Sequence, residues 1–338
     1  MLGRTDCYGD CMSQVKRRHG RRSATVALAL TAMLIAVLAV PTSATASDSP
    51  ALPNGSTTGL VRFRLPSLDR SKLDPNAINI ARAAAKPAPL LLFLPATGAV
   101  PENYQDFLMT AYSVGYSVLG LDYWNRGKSV ASTCGANGGC YTSLQQNRFN
   151  GATPSRFSRV NEANSILHRL RAALDYLNHD NPHGGWDRYL AKGSQGINWN
   201  RLVLAGHSQG GGESAFIAHF HSVRGVLMFS SPVETFKDVS ASWMAKPGVT
   251  PASRMYGFDN TGDMYYHRIV GSWQKLGMGK NGAAATRAPT GSHVLLSSLY
   301  VGNAQEAHDR TVSDRTARNP DGAPVYEPVW KWMLAQVR

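Results

Sequence analysis

Seven short apolar runs of β type recur along the chain: LVRFRL (60–65), PLLLFLP (89–95), YSVLGLDY (116–123), RLVLAG (201–206), VRGVLMFS (223–230), RMYGF (254–258) and HVLLSSLY (293–300). Helical patterns lie between them at 101–113, 160–178, 210–221, 264–276 and 325–337. Most of the runs are apolar at successive positions, which suits a strand buried on both faces. Strands of that kind alternating with helices predict an α/β domain over 59–338, a mostly parallel sheet with helices on both faces. With 43% hydrophobic and 17% charged residues the chain can fill such a core, and disordered, collagen-like and disulfide-dense classes are excluded. No internal repeat interrupts the pattern.

The N-terminus reads as a targeting segment. KRRHGRR (16–22) is a positive region, ATVALALTAMLIAVLAV (24–40) an apolar stretch, and Ala44-Thr45-Ala46 a small-x-small cleavage site. The expectation is a signal peptide over 1–46, cut after Ala46, then a polar lead-in over 47–58. An uncleaved helix is the alternative, since 17 apolar residues sit at the lower limit for spanning a bilayer. Pro41 and the cleavage site favour removal, with no stable membrane insertion afterwards and a secreted product. Met12 is an alternative start. No Cys follows the apolar stretch to carry a lipid, and Arg21-Arg22 is too slight a match to define the export route.

The formal charge is +13, of which the first 46 residues supply four: six Lys/Arg against Asp6 and Asp10. The remaining basic residues are scattered without a Lys/Arg run or a nucleic-acid-binding motif, so no nucleic-acid partner is expected. Cys7 and Cys11 leave with the leader, and Cys134 and Cys140 remain in STCGANGGCYTS. An even pair in an exported chain reads as a disulfide, here a local staple worth about 2 kcal/mol. No His or further Cys lies near enough in sequence to suggest a metal site instead.

One strand-to-helix junction carries chemistry. Leu202-Val203-Leu204-Ala205 runs directly into Gly206-His207-Ser208-Gln209-Gly210, then Gly211-Gly212 and the helical ESAFIAHF. The bare G-x-S-x-G spacing is weak, but this context is demanding. A sharp strand–turn–helix leaves room only for small residues two before and two after its centre. The turn presents the Ser208 hydroxyl at the carboxyl edge of the sheet, where the first helical turn aims its N–H groups and its dipole.

These residues resemble the α/β-hydrolase superfamily, in its secreted bacterial serine esterase and lipase branch, over about 60–338. The resemblance implies the α/β-hydrolase fold and a serine nucleophile at Ser208. A second matching element is Leu92-Phe93-Leu94-Pro95-Ala96-Thr97-Gly98, where members often carry His-Gly after the strand; Pro95-Ala96 is a departure. By position Thr97 would supply one oxyanion N–H alongside that of Gln209, with Gly98 as the alternative, or the segment is simply a turn.

A serine hydroxyl needs a base, and the base an orienting acid. The family order is Ser, acid, His. Asp263, in the turn-rich Asp259-Asn260-Thr261-Gly262-Asp263 after a late strand, is the favoured acid; Asp259 and Glu234 are the alternatives. For the base, His207 lies within the elbow and packs beneath it, His267 sits on a helix beside the acid loop, and His168, His179, His183, His219 and His221 precede the acid. His293 opens the last strand, at the edge remote from Ser208. His308 lies beyond that strand, reached through the polar run 302–307, and is the favoured base.

The stretch 124–159, expected as a long loop, and residues 233–252 are placed to shape a pocket, with Tyr104, Tyr123, Trp124 and Trp243 as lining residues or core. No segment suits a large interfacial lid. The reading is an exported serine hydrolase cleaving small-molecule or lipid carboxylic esters through an acyl-enzyme on Ser208, His308 and Asp263, with no metal or cofactor. A peptidase or amidase on the same scaffold and a non-catalytic surface-binding protein are the alternatives.

Overall fold

The computed structural model describes residues 59–65, 78–192, 196–279 and 292–338; the leader and lead-in expected over 1–58 lie outside the described residues. Among these residues the strands are β1 (Val61–Phe63), β2 (Asn79–Arg82), β3 (Leu90–Leu94), β4 (Ser117–Gly120), β5 (Leu202–His207), β6 (Gly225–Phe229), β7 (Thr235–Phe236), β8 (Val239–Ser240), β9 (Met255–Asn260) and β10 (Val294–Ser297). The helices are α1 (Gln105–Ser113), α2 (Val130–Cys134), α3 (Gly138–Asn150), α4 (Ile166–Asp180), α5 (Gln209–Phe220), α6 (Tyr266–Lys275), α7 (Ala304–Asp309) and α8 (Glu327–Gln336).

Eight strands form one sheet in the order β1-β2-β4-β3-β5-β6-β9-β10, in which only β2 runs against its neighbours. The architecture is an α/β-hydrolase fold. β7 and β8 make a separate two-stranded hairpin.

Strand pleating explains why the runs are apolar throughout. Successive side chains point to opposite faces, so Leu90, Leu92 and Leu94 enter one core while Leu91 and Phe93 enter another. The first core is completed by α3, α4, α5 and α6, the second by α1 and α8. Trp330 of α8 meets Phe107 of α1 edge-on at 5.7 Å, and Phe107 meets Phe229 of β6 at 4.9 Å. Burying one such side chain is worth roughly 1.5–3 kcal/mol, which is why both faces must be covered.

The structure departs from expectation in three places. Strand β2, NIAR, was not anticipated; it is short, and pairs with β1 and β4 on either side. The stretch 124–159 is not one long loop, because α2 and α3 occupy much of it, each capped by a side chain: Ser129 accepts from the Ser132 N–H and Asn137 from the Cys140 N–H. The Cys134–Cys140 disulfide joins the end of α2 to the start of α3, a separation of six residues. Finally, 304–309 is helix α7, with Asn303 accepting from the Glu306 N–H as its cap, so His308 sits on a helix and not at the end of a flexible run.

Candidate active site

The chain leaves β5 at His207 and enters α5 at Gln209, and Ser208 between them adopts φ 51°, ψ −117°. That is a conformation an L-residue holds only when its surroundings impose it. Here the Ser208 N–H is tied to the Phe229 carbonyl at 2.9 Å, and its own carbonyl accepts from Gly212 at 3.1 Å. The flanking glycines are sterically required. A Cβ on Gly206 would lie 2.3 Å from the Gly210 backbone, and one on Gly210 would lie 2.0 Å from the Leu94 carbonyl oxygen.

Three side chains from separate parts of the chain meet at this turn. His308 Nε2 is 2.8 Å from Ser208 Oγ, and His308 Nδ1 is 2.7 Å from Asp263 Oδ2. A carboxylate can only accept, so Nδ1 carries the proton and Nε2 accepts from the Ser208 hydroxyl. All three are largely buried, Ser208 the most accessible at 9%. Burial pushes Asp263 up, but the hydrogen bond and charge of His308, helped by Asp259 and the Tyr265 N–H, outweigh it and hold Asp263 below the usual carboxylate range. The Tyr265 N–H donates to Asp263 Oδ1 at 2.6 Å.

The alternative acids lie elsewhere. Asp259, fully buried in β9, accepts from Ser230 Oγ at 3.1 Å, while its Oδ2 has no hydrogen-bond partner. Burial, then the neighbouring Asp263 charge, pushes it well above the carboxylate range, which favours its neutral form. Glu234 accepts from Gln145 at 2.7 Å and from the Trp243 indole at 2.9 Å. His293 is at the opposite edge of the sheet, its Nδ1 donating to the carbonyl of Met255, where β9 begins.

Opposite the start of α5 stands the Pro95–Gly98 turn. Its amides are mostly committed: Ala96 N–H to Tyr104 Oη at 3.1 Å and Gly98 N–H to the Asn125 carbonyl at 3.1 Å. Among the described residues the Thr97 N–H makes no hydrogen bond, nor does that of Gln209, at the first position of α5, where no intrahelical partner exists. Thr97 Oγ1 donates to Gln209 Oε1 at 3.0 Å, fixing the two segments against each other. Asn125, which sequence reasoning passed over, braces the turn by donating to the carbonyls of Ala96 (2.6 Å) and Ala99 (2.7 Å). Gly98, the alternative donor, is thereby spent.

Two of the four aromatics offered as pocket lining are core. Tyr123 donates to the Pro95 carbonyl at 2.8 Å and accepts from Gln209 Nε2, and Trp243 is buried on Glu234. Tyr104, also buried, shows an edge to a cavity of about 360 Å³ beside Thr97, and Trp124 is half-buried. Among the described residues no group of three or more His, Cys, Asp or Glu could hold a metal ion, and no helix is long and apolar enough to cross a membrane.

No protein-family model matches the chain, and no curated protein does. Solved structures to which it is similar include an S-formylglutathione hydrolase from Agrobacterium tumefaciens, 11% identical, TM-score 0.44, over 82% of this chain and 95% of that one. A sugar hydrolase (YeeB) from Lactococcus lactis is 15% identical, TM-score 0.42, over 82% and 98%. Thermogutta terrifontis esterase 2, phosphorylated by paraoxon, is 12% identical, TM-score 0.37, over 68% and 82%. Likenesses this distant do not bear on the reaction; the side-chain geometry does.

Proposed function

We propose that the protein is an exported serine hydrolase that cleaves carboxylic esters through an acyl-enzyme. The reading is carried by the continuous Ser208–His308–Asp263 hydrogen-bonded chain on a strained serine, together with the uncommitted N–H groups of Gln209, its neighbour in the chain, and of Thr97, whose hydroxyl is bonded to Gln209. In this reading Ser208 Oγ attacks the ester carbonyl while His308 Nε2 takes its proton. The N–H groups of Gln209 and Thr97 hold the oxyanion that develops. Asp263 stabilises the imidazolium, which then protonates the departing alcohol. Water, deprotonated by His308, releases the acid and restores Ser208. Each feature is one that this chemistry needs: a base in the correct tautomer, a buried anion behind it, and donors preorganised for negative charge.

Export belongs to the same proposal and is supported by the leader-like 1–46 and by the Cys134–Cys140 disulfide, a bond that persists in oxidising compartments. The test is to label the culture-supernatant protein with a fluorophosphonate and assay nitrophenyl esters of graded chain length. Labelling at Ser208 with ester turnover is the expected result. A chain that neither labels nor turns over any ester would end the reading.

A further inference from the structure

Beside the triad, the β7–β8 hairpin and α6 border a second, open space, a cavity of about 660 Å³. Its walls carry Lys237, Arg268 and His267 with the rings of Phe236 and Tyr265, and no carboxylate lines it. Arg268 lies over the Phe236 ring at 4.3 Å and Lys237 over the same ring at 5.7 Å. The Arg268 guanidinium donates to Tyr141 Oη at 3.1 Å, but among the described residues neither cation pairs with an acid. Elsewhere the chain does pair such groups, as with Arg310 and Arg315 on Glu306. The hairpin also holds Lys237 at φ 53°, a left-handed conformation that lysine rarely adopts.

Two like charges gathered on one aromatic ring repel each other unless an anion joins them. One residue separates the cavity from the reaction centre. The Tyr265 ring meets the His308 ring edge-on at 5.2 Å, and the Tyr265 backbone N–H holds Asp263. A substrate that carries its ester at Ser208 and extends past Tyr265 meets Phe236, Lys237 and Arg268 with its far end.

We infer that this cavity binds an anionic group, a carboxylate or sulfate, at the end of the substrate remote from the scissile ester. The inference rests on the ester-hydrolase reading for its place in catalysis, and on the cation–aromatic cavity alone for its charge preference. Guanidinium and ammonium groups over aromatic faces supply attraction for an anionic oxygen, and the ring excludes water from one side of it. The positive balance of the chain adds long-range attraction for the same class of molecule.

Two measurements decide it. The first compares mono-4-nitrophenyl adipate, which ends in a carboxylate, with 4-nitrophenyl hexanoate of equal chain length. The kcat/KM ratio of the anionic to the neutral ester should fall about tenfold in Arg268→Gln, a loss of one charge-assisted contact, and less in the exposed Lys237→Gln. The second is calorimetric titration of the Ser208→Ala chain with adipate, whose affinity should weaken in both cation variants and as salt rises. Turnover of the neutral ester with an unmoved ratio in both variants overturns the inference and leaves the esterase reading standing. If neither ester is turned over, the esterase reading falls and the titration alone decides: no adipate binding, or binding indifferent to both variants, overturns the cavity assignment. Lys237→Gln guards against misfolding of Arg268→Gln, since Lys237 is exposed at a hairpin turn.

Discussion

His207 Nε2 lies 2.9 Å from the carbonyl oxygen of His308, so the residue preceding the proposed nucleophile holds the backbone of the residue that would serve as its base. A carbonyl only accepts, which fixes the His207 proton on Nε2 and leaves Nδ1 to accept from the Tyr104 hydroxyl at 3.0 Å. Tyr104 Oη in turn accepts from the Ala96 N–H, so one unbroken chain of hydrogen bonds joins the Thr97 turn to His308. Burial, then the proximity of His308, pushes His207 down to about 3, so it is neutral at pH 7.

Replacing His207 by Phe keeps the ring and breaks both bonds. An unpaired buried group costs about 1–3 kcal/mol, so kcat and the rate of fluorophosphonate labelling should both fall by about tenfold or more with KM little changed. Tyr104→Phe, which leaves the His308 tie intact, should cost less. Wild-type labelling by His207→Phe would show that His308 is held without it.

Ser208→Ala should remove roughly a factor of 10⁶ in kcat, His308→Ala should match it, and the double variant should be no worse, because the pair acts as one unit. His293→Ala is the control: it immediately precedes β10 at the far edge of the sheet and should keep most activity. Steady-state kinetics on a nitrophenyl ester with circular dichroism for folding checks all four; a dead His293→Ala would contradict the sheet polarity.

The two aspartates should separate cleanly. Asp263→Asn leaves the shape but removes the anion that fixes the His308 tautomer, a loss of about 10⁴ in kcat by analogy with serine-protease triads. Burial already pushes Asp259 toward its neutral form, so Asp259→Asn should keep activity within about tenfold. Equal losses from both would mean that the Asp259 proton takes part in the reaction.

Under α5, Glu213 and Glu234 are buried beside Arg148, which lies 3.6 Å from Glu213. Burial pushes them up to about 8 and about 7, respectively. Their unfolded value is about 4.3, so from there to about 7–8 the native state binds more protons than the unfolded one. Stability should therefore fall as pH rises through that window, on the order of 1 kcal/mol per pH unit per carboxyl, and level off above it. Melting curves from pH 5 to 9 should show the slope, and Glu213→Gln with Glu234→Gln should flatten it. An unchanged slope in the double variant would place the ionisation elsewhere.

Gly210→Ala tests the elbow. Its Cβ would lie 2.0 Å from the Leu94 carbonyl oxygen, on backbone that cannot move without disturbing the Thr97 turn. Expected is a loss of activity together with a lower melting temperature. An active variant as stable as wild type would mean that the two segments are farther apart in solution.

The apolar runs and the Gly206–Gly210 elbow were legible in the sequence because both are local. A strand buried on both faces needs apolar residues at every position, and a strand–serine–helix turn needs glycine where a Cβ would meet backbone. Strand β2 was not legible, since its strand character comes from pairing with β1 and β4, about forty residues apart in β4's case. Helices α2 and α3 were missed because α2 spans only five residues, α3 is largely polar, and their support comes from side-chain caps and the disulfide. His308 was reachable by following strand polarity, whereas its grip by His207 and the helix that carries it were not. Asp259 and Asp263 are two carboxylates four residues apart, and only folding sets one against His308 and buries the other at Ser230. Lys237 and Arg268 come together on Phe236 for the same reason: charges distant in sequence acquire a shared neighbour only when folding brings the β7–β8 hairpin and α6 together.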